Sequence, residues 1–300
     1  MLGWIRRHQV CSTAKAYDGF GKAYMAFAEM SNYDPTEQAT LCNFMKREME
    51  RGLSRSTVVN VIPSAVGFLF RYGAKSPIRG INDNILLQTT KATVKRMTEK
   101  TKQKLPITRE QLAEMQENSS DTEKDIRDMC LLIFMFVGFL RESEAVGLGL
   151  EDVYTEVVEG EEAVIITIKR SKTDKTGETA TIVLAGGPGH PLCPVMWYKK
   201  YLEKRGNIGG KLFKKVGEPG NLAVATPNYI VKAWLTRIGV DPKGYGSHSL
   251  RRGGTTEAMR NKVRTHVLKR HGRWASDAVY MYMVDDVAAK LQVSRAVLGL

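Results

Sequence analysis

Residues 129 to 140 read MCLLIFMFVGFL, an uncharged apolar run, and Arg141 follows immediately. The run is too short to span a bilayer, which takes about 20 apolar residues, so it predicts a core helix, placed over 122–139. An arginine emerging from such a helix is costly to hide unless a carboxylate or an anionic ligand meets it. Glu144, three residues on, is the candidate carboxylate.

At 300 residues and 43% hydrophobic content the chain can bury a sizeable core, and its length predicts two domains. Over the first hundred residues the pattern is helical. Tyr17, Phe20, Tyr24 and Phe27 recur at three- and four-residue steps on one face, and further helices are expected around 36–50, 55–73 and 83–98. The polar stretch KATVKRMTEKTKQKLP carries Lys91, Lys95, Arg96, Lys100, Lys102 and Lys104 and closes at Pro106, which puts the boundary near 104. Beyond it, ITREQLAEMQE restarts a helix with Thr108 as N-cap and Gln111 three residues later.

The second part, 105–300, is mixed. Helices are expected at 108–118, 122–139, 141–147, 225–239, 248–261, through PVMWYKKYLEKRG, and from 276 to the end. AVIITIKRSKTDKTGETATIVLA alternates and breaks at TDKTGE, as a β-hairpin does. The Gly-rich AGGPGHP lacks the following GK[ST] of a phosphate loop and reads as a turn. The fold class is therefore mainly α with a small antiparallel β-sheet.

The charge of +13, from 45 Lys and Arg against 32 Asp and Glu, is spread along the chain and favours a polyanionic partner, nucleic acid ahead of an acidic membrane. Charge alone does not separate a binder from an enzyme. The four cysteines form no CxxC pair, so neither a zinc ribbon nor a disulfide framework is suggested, and a reducing compartment fits. The start MLGWIRRHQV lacks the features of a signal peptide. An intracellular protein without metal or cofactor is expected.

The most informative stretch is GSHSLRRGGTTEAM, in which Ser247 can cap a helix and His248 and Arg251 stand three apart. An imidazole and a guanidinium so placed can address one phosphate together. Alone, such a pair is more often a surface or capping feature. Its weight comes from company: FLRESEAVGL with Arg141, KRSKTDKTG with Lys172 and Lys175, and HGRWASDAVYMYM with His271, Trp274, Tyr280 and Tyr282. Read in order as Arg, Lys, His-x-x-Arg, Trp, Tyr, the chain resembles the tyrosine recombinase (phage integrase) family along essentially its whole length. HPLCPV, HSLRRGG and GRWASDA are most similar to recombinases of Crypton and DIRS-like mobile elements.

The resemblance implies a helical core-binding domain over 1–104, a catalytic domain over 105–300, and strand cleavage through a covalent 3′-phosphotyrosine. By position it implies Arg141, Lys172, His248, Arg251, Trp274 and Tyr282 as catalytic residues, with Lys175 the alternative to Lys172, His271 a second candidate beside Trp274, Tyr280 the alternative tyrosine, and Glu144 orienting Arg141. In the family the tyrosine follows the His/Trp position by eight or nine residues. Tyr282 lies eight beyond Trp274, whereas Tyr280 lies nine beyond His271. Residues two apart on a helix point about 200° from one another, so only one of the two can face the phosphate.

The implied partner is double-stranded DNA, held in part by the basic linker and Arg252. The tail VDDVAAKLQVSRAVLGL places Val284, Val287, Leu291 and Leu298 near one face; it packs on its own domain or, as in the family, on a neighbouring subunit of a tetramer. A eukaryotic source would place the protein in the nucleus, another source in the cytoplasm or on a nucleoid. Two other functions share much of this pattern, a domesticated DNA-binding protein that cleaves nothing and a type IB topoisomerase-like enzyme.

Overall fold

The computed structural model describes residues 11–71, 75–78, 85–99, 103–169, 179–206, 209–274 and 276–281, with single positions at 291, 295 and 297. The chain divides into two compact units, Met1–Lys102 and Gln103–Leu300. Among the described residues no helix is long and apolar enough to cross a membrane.

The first unit is helical: α1 (Cys11–Met30), α2 (Gln38–Glu50), a π-turn at Thr57–Val61 running into α3 (Ile62–Leu69), and α4 (Ile85–Met97). The aromatic stripe of α1 is its core side. Tyr24 is fully buried, packs edge-on to Phe44 at 5.4 Å and donates its hydroxyl to the Pro35 carbonyl at 2.7 Å. Burial raises the pKa of this phenol far above its ordinary value. Leu41, Cys42, Met45, Val58, Val59, Ile62, Val66, Leu87 and Val94 complete the cluster of buried residues.

The second unit is built round α6 (Glu123–Val137). Every residue from Asp125 to Phe136 in it is buried, the apolar run from Met129 on all sides and the charged Asp125, Arg127 and Asp128 in ion pairs. Thr122 caps its start by accepting the Asp125 amide at 3.3 Å. Before it lies α5 (Arg109–Glu117), whose Thr108 and Gln111 form the reciprocal capping box that their spacing predicts. After it come α7 (Glu142–Gly147), α8 (Pro194–Arg205), α9 (Thr226–Arg237), α10 (Ser247–Arg260), α11 (Thr265–His271) and a 3-10 turn at Asp277–Met281.

The sheet has three antiparallel strands in the order β1 (Val153–Val158), β2 (Glu161–Ile168) and β3 (Ala180–Ala185). Val153, Ile166 and Ile182 stand in register on the face that joins the core.

Helix α10 packs against α6 at a distance only glycine allows. A Cβ on Gly253 would lie 1.8 Å from the Ile107 carbonyl oxygen, and one on Gly254 would lie 2.0 Å from that of Phe136. The segment entering the unit is fastened to the same region, for Leu105 donates its amide to Gly244 O and Ile107 donates to Ser249 O, both at 3.0 Å.

Three elements differ from expectation. Strand β1 was not anticipated, because its burial falls away after Val153 and leaves four of its last five residues exposed, with no apolar alternation to read. Helix α11, seven residues long, is too short to register as a period. The helix expected from 276 onward is a 3-10 turn at Asp277–Met281, and its continuation lies largely outside the described residues.

Candidate active site

Helix α6 ends at Gly138, and Phe139 then turns through a left-handed conformation (φ 49°) that aims its carbonyl back into the unit. Two residues on, Arg141 occupies the N-cap of α7 in extended conformation. Glu144, in the first turn, reaches back to the Arg141 amide with Oε2 at 2.9 Å and takes the Arg141 guanidinium on Oε1 at 2.5 Å. The carboxylate expected from spacing is thus the one that meets Arg141.

Oε2 of Glu144 also accepts from Arg273 Nη2 at 2.8 Å. The same Nη2 donates to Phe139 O at 3.0 Å, and Nη1 of Arg273 donates to His271 O at 2.7 Å. One carboxylate therefore stands between two guanidiniums, all three side chains at least 87% buried. Burial acts most strongly on Glu144 and raises its pKa. The Arg273 charge, the Arg141 amide and the Arg141 guanidinium together outweigh it and hold the carboxyl below its ordinary range.

Arg251, in the second turn of α10, is fully buried. Its guanidinium donates to Phe139 O and Gly272 O and lies 4.1 Å over the Trp274 ring. Phe139 also packs 6.1 Å from Trp274 and edge-on to His271 at 4.7 Å. The His271 Nε2 lies 2.8 Å from Val137 O; a carbonyl only accepts, so Nε2 carries the proton. Burial, followed by the nearby Arg273 and Arg251 charges, lowers the His271 pKa against the opposing pull of Val137 O, which favours the neutral ring. The guanidiniums of Arg141, Arg251 and Arg273 and the Glu144 carboxylate thus gather about the turn at Phe139, and guanidinium geometry suits phosphate.

His248 and Arg251 do not share an environment, although their spacing places them on one face. His248 sits in the first turn of α10 and is exposed, while Arg251 turns inward to the two carbonyls. Ser247 is not the cap expected of it: Gly246 holds that position, and Ser247 instead donates its hydroxyl to Glu142 at 2.6 Å, which links α10 to α7. His248 lines a cleft of about 300 Å³ with Gln103, Lys104, Arg252 and Met281. Arg252 crosses it to donate to the Lys104 carbonyl at 3.1 Å.

Arg141, Glu144, Arg251, His271 and Trp274 are therefore brought together, with His248 and Arg252 at a cleft that also receives Met281. Tyr280 is exposed in the 3-10 turn. On α4 in the first unit, Lys91 is half-buried and Lys95 and Arg96 are exposed. Lys172, Lys175, Tyr282, Lys100 and Lys102 lie outside the described residues, as do Val284, Val287 and Leu298 of the tail. Sequence reasoning missed Arg273 and the Phe139 carbonyl. The signal for Arg273 was its place directly before Trp274, where an arginine in a motif needs a carboxylate as much as Arg141 does.

A mainly helical domain with a three-stranded sheet, carrying a buried arginine cluster beside an HxxR helix, defines a class. The sequence profile of the phage integrase family matches residues 85–286, and the chain belongs to this family. An "Integrase/recombinase xerD homolog" of Selenomonas ruminantium is 30% identical over 164 residues, covering 52% of this chain and 47% of that protein. The match thus spans about half the length of that curated relative.

Among solved structures, a XerH site-specific recombinase bound to palindromic difH substrate superposes with a TM-score of 0.61 at 16% identity, covering 86% of this chain and 72% of that one. The Tn1549 transposon integrase in complex with circular intermediate DNA gives 0.60 at 12% identity, covering 86% and 84%. At these identities the likeness speaks for the fold.

Proposed function

We propose that the chain is a site-specific DNA recombinase that cleaves and rejoins strands through a covalent 3′-phosphotyrosine. The observation that carries this reading is the linkage of Arg141, through Glu144 and Arg273, to the Phe139 carbonyl that also holds Arg251 over Trp274, on the unit that carries the HxxR helix. The Tn1549 integrase structure, in complex with circular intermediate DNA, supports DNA as the partner.

A phosphodiester resists attack because its non-bridging oxygens repel the nucleophile and gather charge in the transition state, so the site needs cations and donors. Arg141 and Arg251 clamp those oxygens; Arg251 must turn from the carbonyls of Phe139 and Gly272 to do so. Tyr282 Oη attacks phosphorus while His248 takes its proton, and the bond to the 5′-oxygen breaks. Lys172 protonates that oxygen, with Lys175 beside it on the same hairpin, and Trp274 offers its indole N–H. The products are the 3′-phosphotyrosine ester and a free 5′-hydroxyl, and attack by a partner strand's 5′-hydroxyl reverses the step. The chemistry calls for no cofactor.

Met281 lines the cleft beside His248, which puts the residue before Tyr282 at the helix that carries HxxR. This supports Tyr282 over the exposed Tyr280. The first unit, as core-binding domain, and the basic linker would hold the duplex, the tail would exchange between subunits of a tetramer, and the GRWASDA phrasing supports a mobile-element origin.

The test is adduct formation. A duplex selected from a random-sequence pool by binding to the chain, then nicked at successive positions, should yield a covalent complex that survives denaturing electrophoresis. Tyr282→Phe should abolish it and Tyr280→Phe should leave it. The reverse pattern moves the nucleophile to Tyr280, and salt-sensitive binding with no adduct on any nicked duplex assigns the chain to DNA binding without cleavage.

A further inference from the structure

Arg273 is held in a left-handed backbone conformation (φ 57°) that a non-glycine residue adopts only when its surroundings impose it. What the conformation achieves is visible in its contacts. The side chain runs back to the end of α6, and its two terminal nitrogens reach Glu144 Oε2, Phe139 O and His271 O. Phe139, the acceptor of one of these bonds, is itself left-handed. Arg273 thereby bridges the segment that carries Trp274 and the turn that carries Arg141.

Glu144 has two oxygens and two cations to serve. Oε1 holds the Arg141 guanidinium; Oε2 holds the Arg141 amide and Arg273. Arg273 adds to Oε2 a bond from outside α7, so the carboxylate is tied to the segment that carries Trp274 as well as to the start of its own helix.

We propose that Arg273 is a positioning residue for strand transfer: through Glu144 it sets the direction of the Arg141 guanidinium, and through Phe139 O it sets the position of Trp274. The proposal rests on the strand-transfer reading above. Arg273 need not touch the phosphate. Its guanidinium shares the Glu144 carboxylate with that of Arg141, so the position of the one depends on the other. A lysine cannot replace it, since a single ammonium does not offer the planar fork that spans a carboxylate and a carbonyl.

The experiment uses the full chain and the nicked duplex selected by binding, and measures single-turnover adduct formation and duplex affinity separately. Arg273→Ala should slow the adduct step by about 100-fold, the scale of a misplaced catalytic group, with affinity changed by less than about 3-fold. Arg273→Lys should fall between Arg273→Ala and wild type. On a Glu144→Gln background, where the orienting carboxylate is already lost, Arg273→Ala should add less than about 3-fold, because residues acting as one unit are not additive.

Wild-type adduct rates in both Arg273 variants, or losses that multiply in the double variant, overturn the proposal. Should Arg273→Ala fail to fold, Arg273→Lys alone and on Glu144→Gln carries the same comparison. A wild-type chain that forms no adduct overturns the strand-transfer reading itself, a result separate from either of these.

Discussion

The guanidinium carbon of Arg251 lies 4.1 Å from the centre of the Trp274 ring, so a fully buried cation rests on an aromatic face that is itself buried. Removing the ring takes away packing and the attraction of its π-face together. Trp274→Ala should destabilise the chain by about 3–5 kcal/mol, the usual cost of deleting a buried large aromatic. Trp274→Phe keeps a ring under the cation and should cost clearly less. Urea denaturation followed by circular dichroism checks both; a Trp274→Ala value under about 1 kcal/mol would deny the stacked arrangement.

Neutral His271 gives stability a dependence on pH. Its folded-state pKa is lowered, first by burial. As pH falls below about 6.5 the unfolded chain takes up a proton before the folded chain does, so stability is complete above that pH and declines toward the folded-state value. His271→Gln, which preserves an N–H for Val137 O, should remove this part of the profile. Unfolding free energies measured from pH 8 downward decide it.

Glu144 acts in a lower window. Burial opposes its ionisation, but Arg273 and Arg141 win and its folded pKa is lowered. Its contribution is therefore present above the ordinary glutamate value of about 4.3 and is lost as pH falls through the folded value. Glu144→Gln should lower stability at neutral pH and flatten the profile below about pH 4.3. A variant profile parallel to wild type there would show that another carboxylate carries the effect.

Gly254 tests the closeness of α10 to α6. An added Cβ meets main-chain oxygen at 2.0 Å, which rotamer changes cannot relieve. Gly254→Ala should cost about 1–3 kcal/mol or more, even though alanine favours helices. Thermal unfolding of the pair of proteins is sufficient to see it.

Arg252 tests the cleft at His248. On the proposed function it meets backbone phosphate, so Arg252→Ala should weaken binding to all duplex sequences alike and reduce the slope of log affinity against log salt by about 1. Titration of a labelled duplex at several salt concentrations measures both quantities. Selective loss on one sequence would make Arg252 a reader of bases.

Local chemistry made some of this architecture legible before any coordinates. The Thr108–Gln111 capping box, the core helix at 123–137 and the pairing of Arg141 with Glu144 each depend on residues within a few positions of one another. Arg273 stood out only by its place before Trp274; its role was not legible, because its partners Phe139 and Glu144 lie more than a hundred residues away and its own backbone strain has no signature in composition. The inward turn of Arg251 away from His248 was hidden for the same reason: helical spacing gives a direction for the Cβ atoms but not a destination for a long side chain. Ser247 was misjudged because a hydroxyl that can cap a helix can equally bind Glu142, and only the approach of α7 decides.

The bonds from Leu105 to Gly244 and from Ile107 to Ser249 also set a practical cutting point. An excised second unit begun at Thr108, where α5 takes its cap, would take the Leu105 and Ile107 amide donors from the Gly244 and Ser249 carbonyls and leave the Arg252 guanidinium without the Lys104 carbonyl. A fragment begun at Gln103 keeps all three. For expression trials, protease mapping or fusion to another module, the usable seam therefore lies ahead of Gln103, upstream of the first helix a designer would choose by eye.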